Sequence, residues 1–311
     1  FDIIMDWTLL TVQLLNGLQL GILLFLLASG LTLIFGIMDF VNLAHGSLYM
    51  VGAFFCATLT QWLDSFWLGL LLALPATAVV GVLVELIVVR HLYERDHLDH
   101  VLATFGLILV FDTLTQMIWG PDGQVIPLPA WLDGQVSLGD AIEVPTYRVA
   151  IILTGLAVAF GLFILVTRTR LGMQIRAGAS NRKMVSALGV NIGLLFSIVF
   201  VIGAVLAGLA GMMIAPITEA SIGMGNQIII VAFVVIVIGG IGSIKGAFIA
   251  AILVGLIDIM GRSYLDVLFK MFMSAQNAET SAPAVSAMLI YILMAVILAV
   301  RPSGLFGPRG R

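Results

Sequence analysis

The residues of this chain best suited to handling a polar solute stand together in FGIMDFVNLAHGSLYMVGAF, Phe35 to Phe54. Asp39, Asn42, His45, Gly46 and Ser47 fall between two apolar runs. A carboxylate, an amide, an imidazole and a hydroxyl supply hydrogen-bond donors and acceptors for a passing polar molecule. Two readings follow from the residues alone. The stretch is a helix break inside a bilayer, tolerated only where freed backbone groups meet protein or a water-filled cavity. Or it is a tight cytoplasmic hairpin in which Asp39 or Asn42 caps a helix. His45 taken singly reads as a structural histidine.

Three further features bear on chemistry. Gly239, Gly240, Gly242 and Gly246 in IVIGGIGSIKGAF would each cost a helix about 1 kcal/mol relative to alanine. That run, with Ser243, marks a bend or a close backbone approach. The order G-x-x-x-x-G-K-[ST] is met nowhere, so nucleotide hydrolysis falls to another polypeptide. The segment RTRLGMQIRAGASNRKMVSALGVN holds Arg168, Arg170, Arg176, Arg182 and Lys183 with no acid between Arg168 and Lys183. Its pattern predicts an amphipathic helix from Met173 to Leu188, with Gly172 before it and Gly189 after it, suited to docking. Among acids in apolar surroundings, Glu85, Asp112, Glu219 and Asp258 are candidates for a solute path. Their scatter in depth argues against an ion-coupled carrier. No catalytic or metal-ligating set is expected.

Elements that could position these residues must be membrane helices. Charged residues make up 10% of the 311, against about 25% in a soluble domain. The mean hydropathy is +1.17. Strand alternation is absent, so the class is all-α: a polytopic helical membrane protein with eight or nine spans and at least one broken or re-entrant segment. The runs are Leu9–Phe35, Val41–Trp62, Phe66–Val89, Val101–Ile118, Val149–Val166, Ile192–Ala215, Ile228–Ile238, a short Ala247–Met260 and Ala284–Val300. No soluble domain fits between them, so residues 1–311 form one transmembrane domain with a cytoplasmic loop at 168–191.

Orientation follows lysine and arginine. The 168–183 cluster and Arg301, Arg309 and Arg311 belong in the cytoplasm. The Pro/Gly-rich connection with Asp122, Asp133, Asp140 and Glu143, closed by Arg148, belongs outside, as do Asp2 and Asp6. The N-terminus is then outside and the C-terminus cytoplasmic. The first apolar run is too long for a cleavable leader and lacks a basic start. Cys56, the single cysteine, reads as a buried small hydrophobe. Gly17 with Gly21, and Gly203 with Ala207 and Gly211, permit close helix packing. Gln13, Asn16 and Gln19 share a helical face that makes interhelical hydrogen bonds or walls a cavity. MVGAFFCATL and IKGAFIAAIL raise an internal duplication, with chance as the alternative.

VNLAHGSLYMVGAF, RLGMQIRAGASNRKMVSALGVN, GGIGSIKGAFIAAILVG and the tail RPSGLFG stand in order over Leu14 to Gly307. Together they resemble the permease subunits of branched-chain amino-acid ABC importers, in the wider hydrophobic amino-acid uptake family. The resemblance implies a bacterial inner-membrane importer. A second, similar permease shares the pathway, two cytoplasmic ATPases consume the ATP, and an extracytoplasmic binding protein delivers substrate. The chain itself binds no cofactor and no nucleic acid, only membrane lipid. By the resemblance Asn42, His45 and Gly46 match a signature of the solute path, to which polarity in apolar surroundings adds Asp39, Ser47 and Glu219, and Gly239, Gly240, Gly242 and Ser243 match a gating break. The resemblance implies ATPase coupling through Gly172, Arg176, Ala177, Asn181 and Gly189. Ser47 stands where the family often has an acid, and Lys245 where it often has proline. Relatives also carry urea, small amides or aromatic carboxylates. A channel or ion-coupled carrier is the alternative from another class, but it gives no reason for the amphipathic loop. A membrane scaffold has no account of the broken helices.

Overall fold

A computed structural model of the chain describes residues 7–137 and 143–307. Asp2, Asp6, Asp140, Arg309 and Arg311, which carry part of the orientation argument, lie outside the described residues. The order of helices is α1 (Trp7–Met38), α2 (His45–Leu63), α3 (Phe66–Ile87), α4 (His97–Trp119), α5 (Thr146–Arg168), α6 (Arg170–Ser180), α7 (Arg182–Ala187), α8 (Ile192–Thr218), α9 (Met224–Gly239), α10 (Ile244–Lys270) and α11 (Ala275–Val300). Among the described residues, seven helices are long and apolar enough to cross a membrane: α1, α3, α4, α5, α8, α10 and α11. The protein is a polytopic helical membrane protein. Each of the nine expected apolar runs holds a helix, although residues 41–44 of the second precede α2 and are not helical. Two fall outside that set: α9 has 16 residues, and α2 opens on His-Gly-Ser and closes with threonines and a glutamine.

Three elements differ from the sequence expectation, each for a local reason. The single amphipathic helix is two, because Asn181 takes an extended conformation and its side chain caps α7, accepting from the Met184 N–H at 3.0 Å. Such local hydrogen bonding competes with helix continuation. The short eighth run is the 27-residue α10, because its charges pair along the helix. Arg262 meets Asp258 at 3.0 Å and Lys270 meets Asp266 at 2.8 Å, both four residues apart. The polar connection holds a small antiparallel pair, β1 (Gln135–Ser137) with β2 (Glu143–Pro145), that no apolar alternation announced.

The chain divides into two compact units: Phe1–Phe25 with Ala130–Leu156 and Val234–Arg311, and Leu26–Pro129 with Ala157–Phe233. In the second, α2 packs on α3 and α8, around fully buried Leu31, Ile34, Phe40, Phe54 and Phe200. Helix α4 leaves Leu102, Phe105, Leu109 and Leu114 exposed, the pattern of a lipid-facing helix. In the first unit α10 pairs with α11. Glycines of α1 let α10 approach it at backbone distance: a Cβ on Gly17 would stand 2.9 Å from the Leu256 Cα, and one on Gly21 2.7 Å from the Ile252 Cα.

Candidate solute path and coupling segment

Helix α1 ends at Met38, and Asp39 follows in the left-handed region with φ 52°. Helix α2 does not restart there. His45, its first residue, places Nε2 3.2 Å from the Leu27 carbonyl oxygen, and its Cε1 would lie 3.0 Å from a Cβ on Gly30. Leu27 and Gly30 are about 16 and 12 Å back along α1 at 1.5 Å per residue. Residues 39–44 therefore run back beside the helix they left. This is a broken segment within the bundle, not a tight hairpin. Neither Asp39 nor Asn42 caps α2, whose N-cap is Ala44 without a side-chain bond.

The polar groups of the break are buried and under-satisfied. Asn42 is 1% exposed, and among the described residues neither atom of its amide has a partner. The same holds for His45 Nδ1, Ser47 Oγ and, on α1, Thr32 Oγ1. An unpaired buried polar group costs about 1–3 kcal/mol. The break's backbone fares better, since the Leu43 N–H donates to Thr104 Oγ1 at 3.2 Å. What stays unpaired is a set of side chains able to bind a polar solute or water.

Backbone-level helix crossings close over this set. A Cβ on Gly46 would strike the Gly225 carbonyl at the start of α9, and the reverse also holds. A Cβ on Gly30 would stand 2.8 Å from the Gly203 carbonyl oxygen, and one on Gly52 2.5 Å from the Gly208 Cα. Gly211 faces the Tyr49 carbonyl in the same way. The sequence showed Gly203, Ala207 and Gly211 as a packing face. It gave no pairing, and it missed Gly225, Thr32 and Thr104, for which a lone small or hydroxyl residue in an apolar run is no signal.

The other proposed path residues lie elsewhere. Asp39 is exposed, 3.9 Å from His97 Nε2. Glu219 is exposed in a left-handed conformation beside Gly123, where Gln124 and Ala220 form an antiparallel bridge. Neither stands with the buried groups. Of the remaining acids, Asp112 accepts from Asn226 at 2.8 Å through one oxygen, and its other oxygen is buried without a described partner. Asp258 is held by Arg262.

The glycine break has a different construction. Gly240 and Gly242 have φ 96° and 80°, a region open to glycine at low cost. Ser243 caps α10, accepting from the Gly246 N–H at 3.1 Å. Gly239 approaches the backbone of Gly246 and Ala247. The tail motif docks here: the N–H groups of Leu305 and Phe306 donate to the carbonyls of Ile238 and Gly239 at 2.9 and 3.0 Å. Two motifs far apart in sequence thus form one structural feature.

The basic segment is a chain of capped helices. Thr169 caps α6 through the Gly172 N–H at 3.0 Å, and Asn191 caps α8 through the Leu194 N–H at 3.0 Å. Gly172 is buried within α6, not ahead of it, against the carbonyls of Leu165 and Val166. The Arg176 guanidinium donates to the Val166 carbonyl. Ala177 is exposed, its carbonyl accepting from the Asn181 N–H at 2.9 Å. Gly189 ends α7 with φ 88°, and nothing lies within 4 Å of where its Cβ would be. Ile175, Gly178 and Val185 turn inward while Met173, Met184 and Leu188 are exposed. An exposed apolar set among arginines suits a protein partner.

Behind this segment Glu85 is fully buried. Arg90 donates to both its oxygens, at 3.3 and 3.2 Å, and Tyr93 donates at 2.5 Å. Burial first, then the bond to Glu85, pushes the Tyr93 hydroxyl well above its usual range, so it remains a donor. Arg90 also donates to Ser197 at 3.0 Å. The Tyr93 ring meets Phe196 edge-on at 5.0 Å, and Arg182 of α7 lies over the same Phe196 at 5.5 Å. Side-chain contacts therefore run without a gap from α7 through α8 to α3.

Comparison with known proteins covers nearly all of the chain. The family described as "Branched-chain amino acid transport system / permease component" matches residues 13–298. The chain is 30% identical over 314 residues to the high-affinity branched-chain amino acid transport system permease protein BraD of Pseudomonas aeruginosa, covering 95% of each. It is 27% identical to the permease protein LivH of Escherichia coli, with 95% and 94% covered. It is also 27% identical to the probable branched-chain amino acid transport permease LivH of Methanocaldococcus jannaschii, with 92% and 89% covered. No solved structure matches the chain.

Proposed function

This chain belongs to the permease-component family of branched-chain amino acid transport systems, and from that premise we propose that it forms half of the pathway of an ATP-driven importer. Its solute is a branched-chain or other hydrophobic amino acid, or a related small molecule. A second, similar permease supplies the other half. Two cytoplasmic ATPases dock on α6–α7 and consume the ATP, so this chain is a transport subunit and not an enzyme. An extracytoplasmic binding protein delivers the solute. All 311 residues act as one permease in the inner membrane, with the N-terminus outside and the C-terminus in the cytoplasm.

The observation that carries the reading is the family match over nearly the whole chain. The buried polar break supports the mechanism. Asn42, His45 and Ser47 are closed over here by the Gly46–Gly225 crossing, an arrangement suited to alternating access. ATP binding draws the ATPases together and moves α6–α7, the permease pair reorients, and the break opens to one side at a time. Hydrolysis resets the pair.

The test is reconstitution of the purified complex with its binding protein and measurement of ATP-dependent leucine uptake. Asn42→Leu and His45→Ala give the site-level readout. Replacing an unpaired buried amide by an apolar side chain is neutral or favourable for folding. We expect the Asn42→Leu melting temperature to hold or rise while uptake falls several-fold, and His45→Ala to insert normally with reduced uptake. Wild-type uptake in both variants would remove the break from the solute path.

Gly189→Leu tests coupling. Space is open there, but the left-handed backbone costs a branched side chain about 1–2 kcal/mol. The expected result is ATP hydrolysis near the wild-type rate with less leucine moved per ATP. An unchanged ratio would argue against a docking role for this turn.

A further inference from the structure

The face of Gln13, Asn16 and Gln19 on α1 is not used by the break or by the coupling segment. Asn16 lies at a cavity of about 140 Å³ where α1 meets β2 and the first turn of α5, room for about five waters at ~30 Å³ each. Val12, Leu15, Val144 and Pro145 make its apolar wall. Arg148 and Glu143 also line it. Among the described residues no ion pair within 4.0 Å joins these two, and Arg148 has no carboxylate partner. Two opposite charges thus border one small aliphatic cavity without neutralising each other.

The guanidinium is held in place. Arg148 donates to Asn16 Oδ1, and Asn16 in turn donates to Gln13 Oε1 at 3.4 Å. One of five guanidinium N–H groups is used this way, leaving the fork free to take a carboxylate. One turn along the same face, Gln19 is 6% exposed, and its Oε1 is buried without a described partner.

We propose that this cavity is a binding site for a zwitterionic aliphatic α-amino acid. The carboxylate pairs with Arg148, the ammonium with Glu143, and the side chain lies on Val12, Leu15, Val144 and Pro145. Arginine and glutamate discriminate the two charges of the head group, and the wall favours an aliphatic chain over a polar one. Gln19 offers the next acceptor along α1. The site deepens the transport reading and rests on it only for the choice of leucine as probe.

The test is equilibrium binding of leucine, leucinamide and 4-methylpentanoate to the purified full chain in lipid nanodiscs. Leucinamide lacks the carboxylate and 4-methylpentanoate lacks the ammonium. We expect leucine to bind at least tenfold more tightly than either analogue. Arg148→Met should lower leucine affinity to that of leucinamide, Glu143→Gln should lower it to that of 4-methylpentanoate, and Arg148→Lys should keep the preference for leucine over leucinamide. Leucine binding equal in wild type, Arg148→Met and Glu143→Gln, or no leucine binding by the wild-type chain, overturns the site. ATP-driven leucine uptake by the wild-type complex is measured alongside. Uptake without leucine binding by the chain removes this site alone, whereas absence of uptake removes the transport reading.

Discussion

Arg90→Ala will destabilise the folded chain by about 3 kcal/mol, the lower end of the cost of breaking a buried ion pair. Glu85 is fully buried and Arg90 about half exposed, so the two partners are unequal. Removing the arginine strands a carboxylate with Tyr93 as its remaining donor, whereas removing the carboxylate leaves an arginine that can turn to water. Glu85→Gln in the Arg90→Ala background should therefore recover most of the loss, and Glu85→Gln alone should cost less than Arg90→Ala. Thermal unfolding of the four proteins in one detergent measures the cycle. Equal costs for the two single variants, with no recovery in the double, would mean that burial of the charge is not what Arg90 answers.

Gly46→Val will reduce leucine uptake at least tenfold per inserted molecule. The first turn of α2 meets the first turn of α9 backbone to backbone, and a side chain at Gly46 has the Gly225 carbonyl and the Ile229 side chain in its way. The variant must either part the two helices or lose the fold. Gly106→Val is the control. It also places a branched residue in a membrane helix, but nothing lies within 4 Å of its Cβ, and uptake should stay near wild type. Equal uptake by the two variants would show that the crossing does not have to close.

Class, the run of membrane helices and the helical basic segment were legible in the sequence because each is written in local composition. Runs of apolar residues at membrane length force helices, since a backbone in hydrocarbon must satisfy itself. Arginines without acids mark the 168–191 segment, and glycine clusters mark where helices end. Asn181 shows the limit of that legibility: one amide caps a new helix and divides a segment whose periodicity runs through it. The length of α10 was hidden for the opposite reason. Its charges read as the end of a span, but pairs four residues apart neutralise them within the helix.

The site was legible only as a list of residues. Asn42, His45 and Ser47 stood out because polar groups are rare in an oily chain, but the sequence left a hairpin and a broken helix equally open. Tertiary structure decided between them by laying His45 against Leu27, and it separated Asp39 and Glu219 from the buried groups. It also joined the tail to the glycine break and Arg182 to Glu85 through Phe196 and Tyr93. The physical reason is distance along the chain. Composition and periodicity report on neighbours within a turn or two, whereas a solute path is made by residues far apart in sequence whose glycines let backbones touch. The sequence by itself determined what kind of protein this is and which side chains were set aside from packing. Only the fold decided which of them meet.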